Sequence, residues 1–219
     1  MQLTESFYLK NNKNNSFIFN QLIEWTKISK NLYNQALYLI KNNYEENKDK
    51  ENYKALNYYD LDKIMKKIEN LEGNINYRLM PSAQCSQQIL KLLEQNIKSF
   101  YKSLKDYKKN PFKYKEKPKF PKFLKNNKYI LIFTNQRVKI KNNELQLLKN
   151  FKLKLPKNVI IKDLNCIRII PKSRNIFKIE IVYNIQEKEL KKDNSHYLGI
   201  DLGLNNFATC ISKKKLKPL

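Results

Sequence analysis

Asp201 stands where its neighbours make metal chemistry plausible. It closes the apolar run Tyr197-Leu198-Gly199-Ile200-Asp201, after which Leu202-Gly203 turns the chain toward a second extended run at 207–212. A carboxylate in an apolar strand is costly unless a positive partner meets it, and a bound divalent ion is the usual remedy. The plainer alternative is a strand-end Asp that caps its own turn.

Two kinds of enzyme open a domain with such a strand. RNase H-like nucleases use the Asp to hold two Mg²⁺ ions that activate a water and stabilise the leaving oxygen at a phosphodiester. Actin-like ATPases carry a similar Gly-Ile-Asp-Leu-Gly strand but need a Ser or Thr after the second glycine to hold phosphate. Here Leu204-Asn205-Asn206 supplies no hydroxyl, which sets the ATPase reading aside. Zinc is not expected either. Cys85, Cys166 and Cys210 lie far apart, no CxxC pair occurs, and His196 is the only histidine.

A second chemistry lies in residues 101–128. Eleven lysines fall there (102, 105, 108, 109, 113, 115, 117, 119, 122, 125 and 128) against Asp106 and Glu116. Tyr107, Phe112, Tyr114, Phe120 and Phe123 are interleaved with them. Lysine heads reach phosphates while flat rings stack on bases, a combination suited to single strands. A solvated linker whose rings pack back on neighbouring helices is the alternative; a strap that tracks nucleic acid is favoured.

The whole chain supports that choice. It carries 44 Lys+Arg against 20 Asp+Glu over 219 residues, a formal charge of +24. AT-rich coding accounts for Lys in place of Arg, since only Arg78, Arg137, Arg168 and Arg174 occur. It does not account for the excess over acids. A field this positive attracts polyanions and releases counterions on meeting phosphates. A hydrophobic content of 41% argues for a folded protein. No signal peptide and no run of about 18 apolar residues is apparent, so no membrane partner and a cytoplasmic location are expected.

The elements that must position these residues follow from periodicity, and the class expected is α+β. Residues 7–9 and 17–19 read as short extended pieces around a polar linker. From 20 to 109 the period is helical, with Leu22, Ile28, Leu32, Ala36, Leu39 and Ile40 on one face. A second helix is expected after a cap at Asp60, and a third with Pro81 in its first turn. Pro111, Pro118 and Pro121 forbid a helix through 110–128. From 129 the period is two. Strands are expected at 129–134, 137–141, 145–148, 151–155, 167–171 and 176–183, with turns at Asn142-Asn143 and 173–175. Short strands of this kind suggest a small barrel or sandwich.

Four blocks, in order, resemble the TnpB/OrfB family of transposon-encoded RNA-guided nucleases, relatives of type V CRISPR effectors. They are Ser29-Lys30-Asn31-Leu32-Tyr33-Asn34-Gln35-Ala36-Leu37-Tyr38, and Tyr77-Arg78-Leu79-Met80-Pro81-Ser82 with Gln87-Gln88 and Lys98-Ser99-Phe100. The third is Lys117-Pro118-Lys119-Phe120-Pro121-Lys122 leading to Phe133-Thr134-Asn135-Gln136, and the last is Val182-Tyr183 followed by 199–209.

The resemblance implies a helical recognition domain (20–128, with the strap at 101–128) inserted into a β-barrel-like wedge domain (1–19 and 129–190). The first two strands of an incomplete RNase H-like (RuvC-like) domain would follow at 196–219. It implies guide RNA and target DNA as partners. Lys108, Lys109, Lys113, Tyr114, Lys115, Lys117, Lys119, Phe120 and Lys122 are then the nucleic-acid candidates, together with Arg78. Diffuse lysine suits recognition by backbone geometry while base pairing reads the sequence. Asp201 matches the family's first catalytic, Mg²⁺-binding Asp. The family's other acids and its four-cysteine zinc element lie beyond the matching stretch, so the chain is expected to be the front part of such a nuclease and inactive alone. The alternative is a stand-alone, non-cleaving RNA- or DNA-binding protein acting as decoy or regulator.

Overall fold

A computed structural model describes residues 1–13, 15–51, 54–155, 161, 163–172, 176–186, 197–204 and 207–212. The chain forms two compact units, Met1–Ile185 and Gln186–Leu219. The class is α+β, with antiparallel sheets throughout.

In the larger unit, strand β1 (Gln2–Lys10) leads into α1 (Ser16–Asn47), α2 (Tyr58–Met65), α3 (Asn76–Leu79) and α4 (Ala83–Lys109). A 3-10 turn at Pro111–Lys113 follows, then six strands: β2 (Leu131–Thr134), β3 (Lys139–Lys141), β4 (Glu144–Leu148), β5 (Phe151–Lys154), β6 (Asp163–Lys172) and β7 (Ile176–Asn184). Six strands were expected between 129 and 183, and six stand there among the described residues. The expected turn at 173–175 lies outside the described residues.

Their assembly differs from the barrel the sequence suggested. One open sheet has the order β1-β7-β6-β2, and a separate sheet has the order β3-β4-β5; no closed barrel forms among the described residues. The cause is range. β1 and β7 pair along nine residues each, from Gln2↔Asn184 to Lys10↔Ile176, a partnership that no local pattern encodes. The β3–β4 turn does follow local chemistry. Asn142 and Asn143 adopt φ of 51° and 60°, the left-handed pair that a two-residue hairpin loop needs and that Asn tolerates.

α1 is the organiser. Phe19, Leu22, Thr26, Ser29, Leu32, Tyr33, Ala36, Leu37 and Ile40 recur at helical spacing and are buried. Residues 17–19 were expected to be extended, but they form the first turn of this helix. The Phe19 ring packs on Phe177 of β7, with centroids 5.0 Å apart, and that burial favours the helix. Trp25 meets Phe151 at 5.1 Å, tying the three-stranded sheet to the same helix. The Ser29 hydroxyl donates to the Ile130 carbonyl (2.7 Å), and the Tyr129 N–H donates to the Thr26 carbonyl (2.9 Å). These bonds fix the entry to β2.

Two helix starts also differ from expectation. α2 is capped by Asn57, not Asp60. The Asn57 side chain accepts from the Tyr59 and Asp60 N–H groups while Asp60 accepts from the Asn57 N–H, a reciprocal capping box. α4 is capped by Ser82, whose hydroxyl oxygen accepts from the Cys85 N–H, leaving Pro81 just outside the helix.

In the smaller unit, β8 (Leu198–Asp201) and β9 (Thr209–Ser212) form an antiparallel hairpin. β8 is the apolar run read from sequence, a pattern that suits a buried strand, yet all four of its residues are exposed. Two strands supply no second layer to bury against. His196, where this domain was expected to begin, lies outside the described residues.

Candidate nucleic-acid interface

The basic segment begins on a helix. Lys98, Lys102, Lys105 and Lys109 follow one another at intervals of four, three and four residues in α4, a spacing that places them on one face. All four are exposed. Their side-chain origins are thus roughly 5–6 Å apart from one to the next. Residues 101–109 therefore belong to α4, and the irregular part of the strap starts at Asn110.

Beyond Asn110 the chain has no regular element except the turn at Pro111–Lys113, as the prolines require. Side chains nevertheless hold it. Asp106 near the end of α4 accepts from Asn110 Nδ2 (3.1 Å) and from the Tyr114 hydroxyl (2.9 Å). Those bonds hold the Asp106 carboxyl below the usual range and raise the Tyr114 phenol. Tyr114 also meets Tyr107 edge-on at 5.7 Å. Farther along, Phe120 packs edge-on against Phe100 of α4 at 5.2 Å. The Lys41 ammonium of α1 lies 4.6 Å from the Phe123 ring centre and 5.9 Å from that of Phe120. Asn34 of α1 then binds both backbone groups of Leu124. The strap is laid along α1 and α4 and pinned at both ends.

Its rings and its lysines divide. Tyr107, Tyr114 and Phe120 are half-buried against the helices, so the packing read as the alternative from sequence does occur. Phe112 alone among the strap's rings is fully exposed, and Phe123 is partly so. Ten of the strap's eleven lysines are exposed, and Lys128 is half-buried with its ammonium 5.8 Å from the Phe177 ring centre. Lys113 has Asp106 at 3.8 Å and Lys119 pairs with Glu116. Lys108, Lys109, Lys115, Lys117, Lys122 and Lys125 are exposed and have no carboxylate within ion-pair distance among the described residues. Arg78 stands apart on α3, also exposed.

Sequence reading missed the two residues of α1 that hold the strap. Asn34 and Lys41 are seven apart, two turns of one helical face, and that spacing was the signal that could have found them.

Asp201 belongs to the smaller unit. It pairs with Thr209 across the hairpin and is exposed. A two-metal centre needs several carboxylates around the ions. Among the described residues no group of three His, Cys, Asp or Glu side chains stands close enough to share a cation. Asp201 alone offers one donor group, which does not make up such a centre, and no catalytic step is assigned to it. None of the described helices is long and apolar enough to cross a membrane. No protein-family model matches the chain, and no curated protein matches it.

Proposed function

We propose that this protein binds guide RNA, and its heteroduplex with target DNA, along the α4 lysine face and the strap, as a relative of the TnpB/OrfB RNA-guided nucleases. The observation that carries this reading is the division of labour in the strap. Most of its rings and its backbone are pinned to α1 and α4, while Lys108, Lys109, Lys115, Lys117, Lys122 and Lys125 are exposed with no carboxylate within ion-pair distance among the described residues. Rigid presentation of lysines at short intervals suits a phosphate backbone. Each phosphate neutralised releases counterions, so the attraction is strong at low salt and indifferent to sequence.

In this reading the fold supplies geometry and charge, while base pairing between guide and target supplies specificity. The helical recognition, wedge and RuvC-like assignments of 20–128, of 1–19 with 129–190, and of 196–219 belong to the same proposal. Asp201 is its Mg²⁺ ligand, acting only in company with further carboxylates.

Titrating labelled single-stranded RNA and RNA–DNA heteroduplex against the protein at several salt concentrations tests the proposal. A steep fall of log K with log salt is expected. Joint replacement of Lys108, Lys109, Lys117 and Lys122 by Glu should reduce that slope by about 3. Binding that ignores salt, or survives the replacements, overturns it. The second reading, a binding protein that does not cleave, is favoured by the exposure of Asp201, around which no group of three possible metal ligands stands among the described residues. Mg²⁺-dependent plasmid nicking that disappears in Asp201→Ala would refute it.

A further inference from the structure

Beside the strap lies a cleft of about 760 Å³ enclosed by α1, α2, α4 and the strap itself. That size is within the range of sites that hold organic ligands. Its lining is mostly apolar, including Leu61, Ile97 and Leu104, and two of its walls are rings, Phe100 and Phe120. Tyr101 also lines it and is half exposed, at the mouth.

The charge around it indicates what enters. Lys41 lines the cleft, and the exposed Lys102 and Lys105 are sequence neighbours of Tyr101 and Leu104; Lys98 and Lys119 stand there too but are paired with Glu94 and Glu116. The acids that line it are already neutralised. Glu94 accepts from Lys98 Nζ (2.8 Å) and from the Tyr58 N–H (3.0 Å), and Glu45 pairs with Lys48. The surroundings therefore select a partner that joins a flat apolar body to negative charge.

We propose that the cleft receives an unstacked base of the single strand held by the strap, its ring lying against Phe100, Phe120 and Tyr101 while its flanking phosphates meet the lysines. This inference rests on the reading of the strap as a nucleic-acid site and adds a base-binding function to it. An apolar pocket with few hydrogen-bond partners tolerates any base, since every base has a stacking face.

The test compares a short single-stranded RNA with a fully abasic strand of the same length and charge. Ala55 lines the cleft from an exposed, irregular stretch, so Ala55→Trp fills the space without altering any helical position. It should weaken the base-bearing strand about tenfold and leave the abasic strand unchanged. Tyr101→Ala, at an exposed position, should weaken the base-bearing strand several-fold with an unaltered melting curve. If both variants bind the base-bearing strand as the wild type does, the cleft proposal fails and the strap reading stands. Should the wild type bind neither strand at low salt, both fail. Self-association of the wild type that Ala55→Trp abolishes, with no change in RNA affinity, would assign the cleft to a second copy and overturn the proposal.

Discussion

Asn34 grips Leu124 by both of its backbone groups: Asn34 Nδ2 donates to the Leu124 carbonyl at 3.0 Å, and Asn34 Oδ1 accepts from the Leu124 N–H at 2.8 Å. One side chain thus does for the strap what a neighbouring strand does in a sheet. Asn34→Ala leaves both groups without their partner and should cost about 1–2 kcal/mol. In a domain of this size that lowers Tm by roughly 4 °C. Trypsin should also cut earlier at Lys122 and Lys125, as gel electrophoresis of timed digests would show. An unchanged digestion pattern would mean that the strap is held without Asn34.

Phe112 is the one strap ring left fully in water. Phe112→Ala should therefore leave the melting temperature unchanged while lowering affinity for single-stranded RNA about fivefold or more, since stacking of one base is worth about 1–3 kcal/mol. The salt slope should not move, because no charge is removed. A parallel loss of affinity for abasic strands would contradict a stacking role.

How far the site was legible depends on what kind of contact made it. Composition and proline spacing were enough to place an irregular, lysine-rich segment after a helix, because both act locally. The partners of its rings were not legible. Phe120 finds Phe100 twenty residues back and Lys41 on another helix, and aromatic content does not say which rings face inward. The same limit governed the fold. Alternation marked the strands between 129 and 183, but only 7–9 of β1 (Gln2–Lys10) was read as extended, and its pairing with β7 spans almost the whole larger unit and left no local trace. Residues 17–19 show the opposite failure. Three apolar residues in a row fit either period, and Phe177, far along the chain, decides for the helix.

Glu180 is buried on β7 between two cations, with Arg168 at 2.9 Å and Lys178 at 2.8 Å. Glu180→Gln removes the charge that both cations face. The expected loss is about 2 kcal/mol, less than for a fully buried pair because the Arg168 side chain remains 39% exposed. Urea unfolding measures it. A variant as stable as the wild type would show that solvent screens the cluster almost completely.

Burial pushes the Cys85 thiol up to about 11 and the Tyr129 phenol up to about 12. Both groups favour their neutral form in the fold. The stability linked to Cys85 is complete below pH 9 and is lost as pH rises toward 11; that linked to Tyr129 is lost between 10 and 12. Melting temperature should hold steady to pH 9 and then fall. Cys85→Ala should lower the plateau yet delay the onset of the fall. At pH 8 a thiol reagent should modify the exposed Cys210 at once and reach the buried Cys85 only on unfolding. Prompt reaction at Cys85 would contradict its burial.

The pairing of Gln2 with Asn184 sets an order of events at the ribosome. β1 is made before α1 to α4 and its partner β7 after them, so the helices have time to condense while β1 waits with bare edges. A nascent chain arrested before residue 176 should hold a structured helical part and an unclaimed amino-terminal strand, open to whatever extended peptide it meets first.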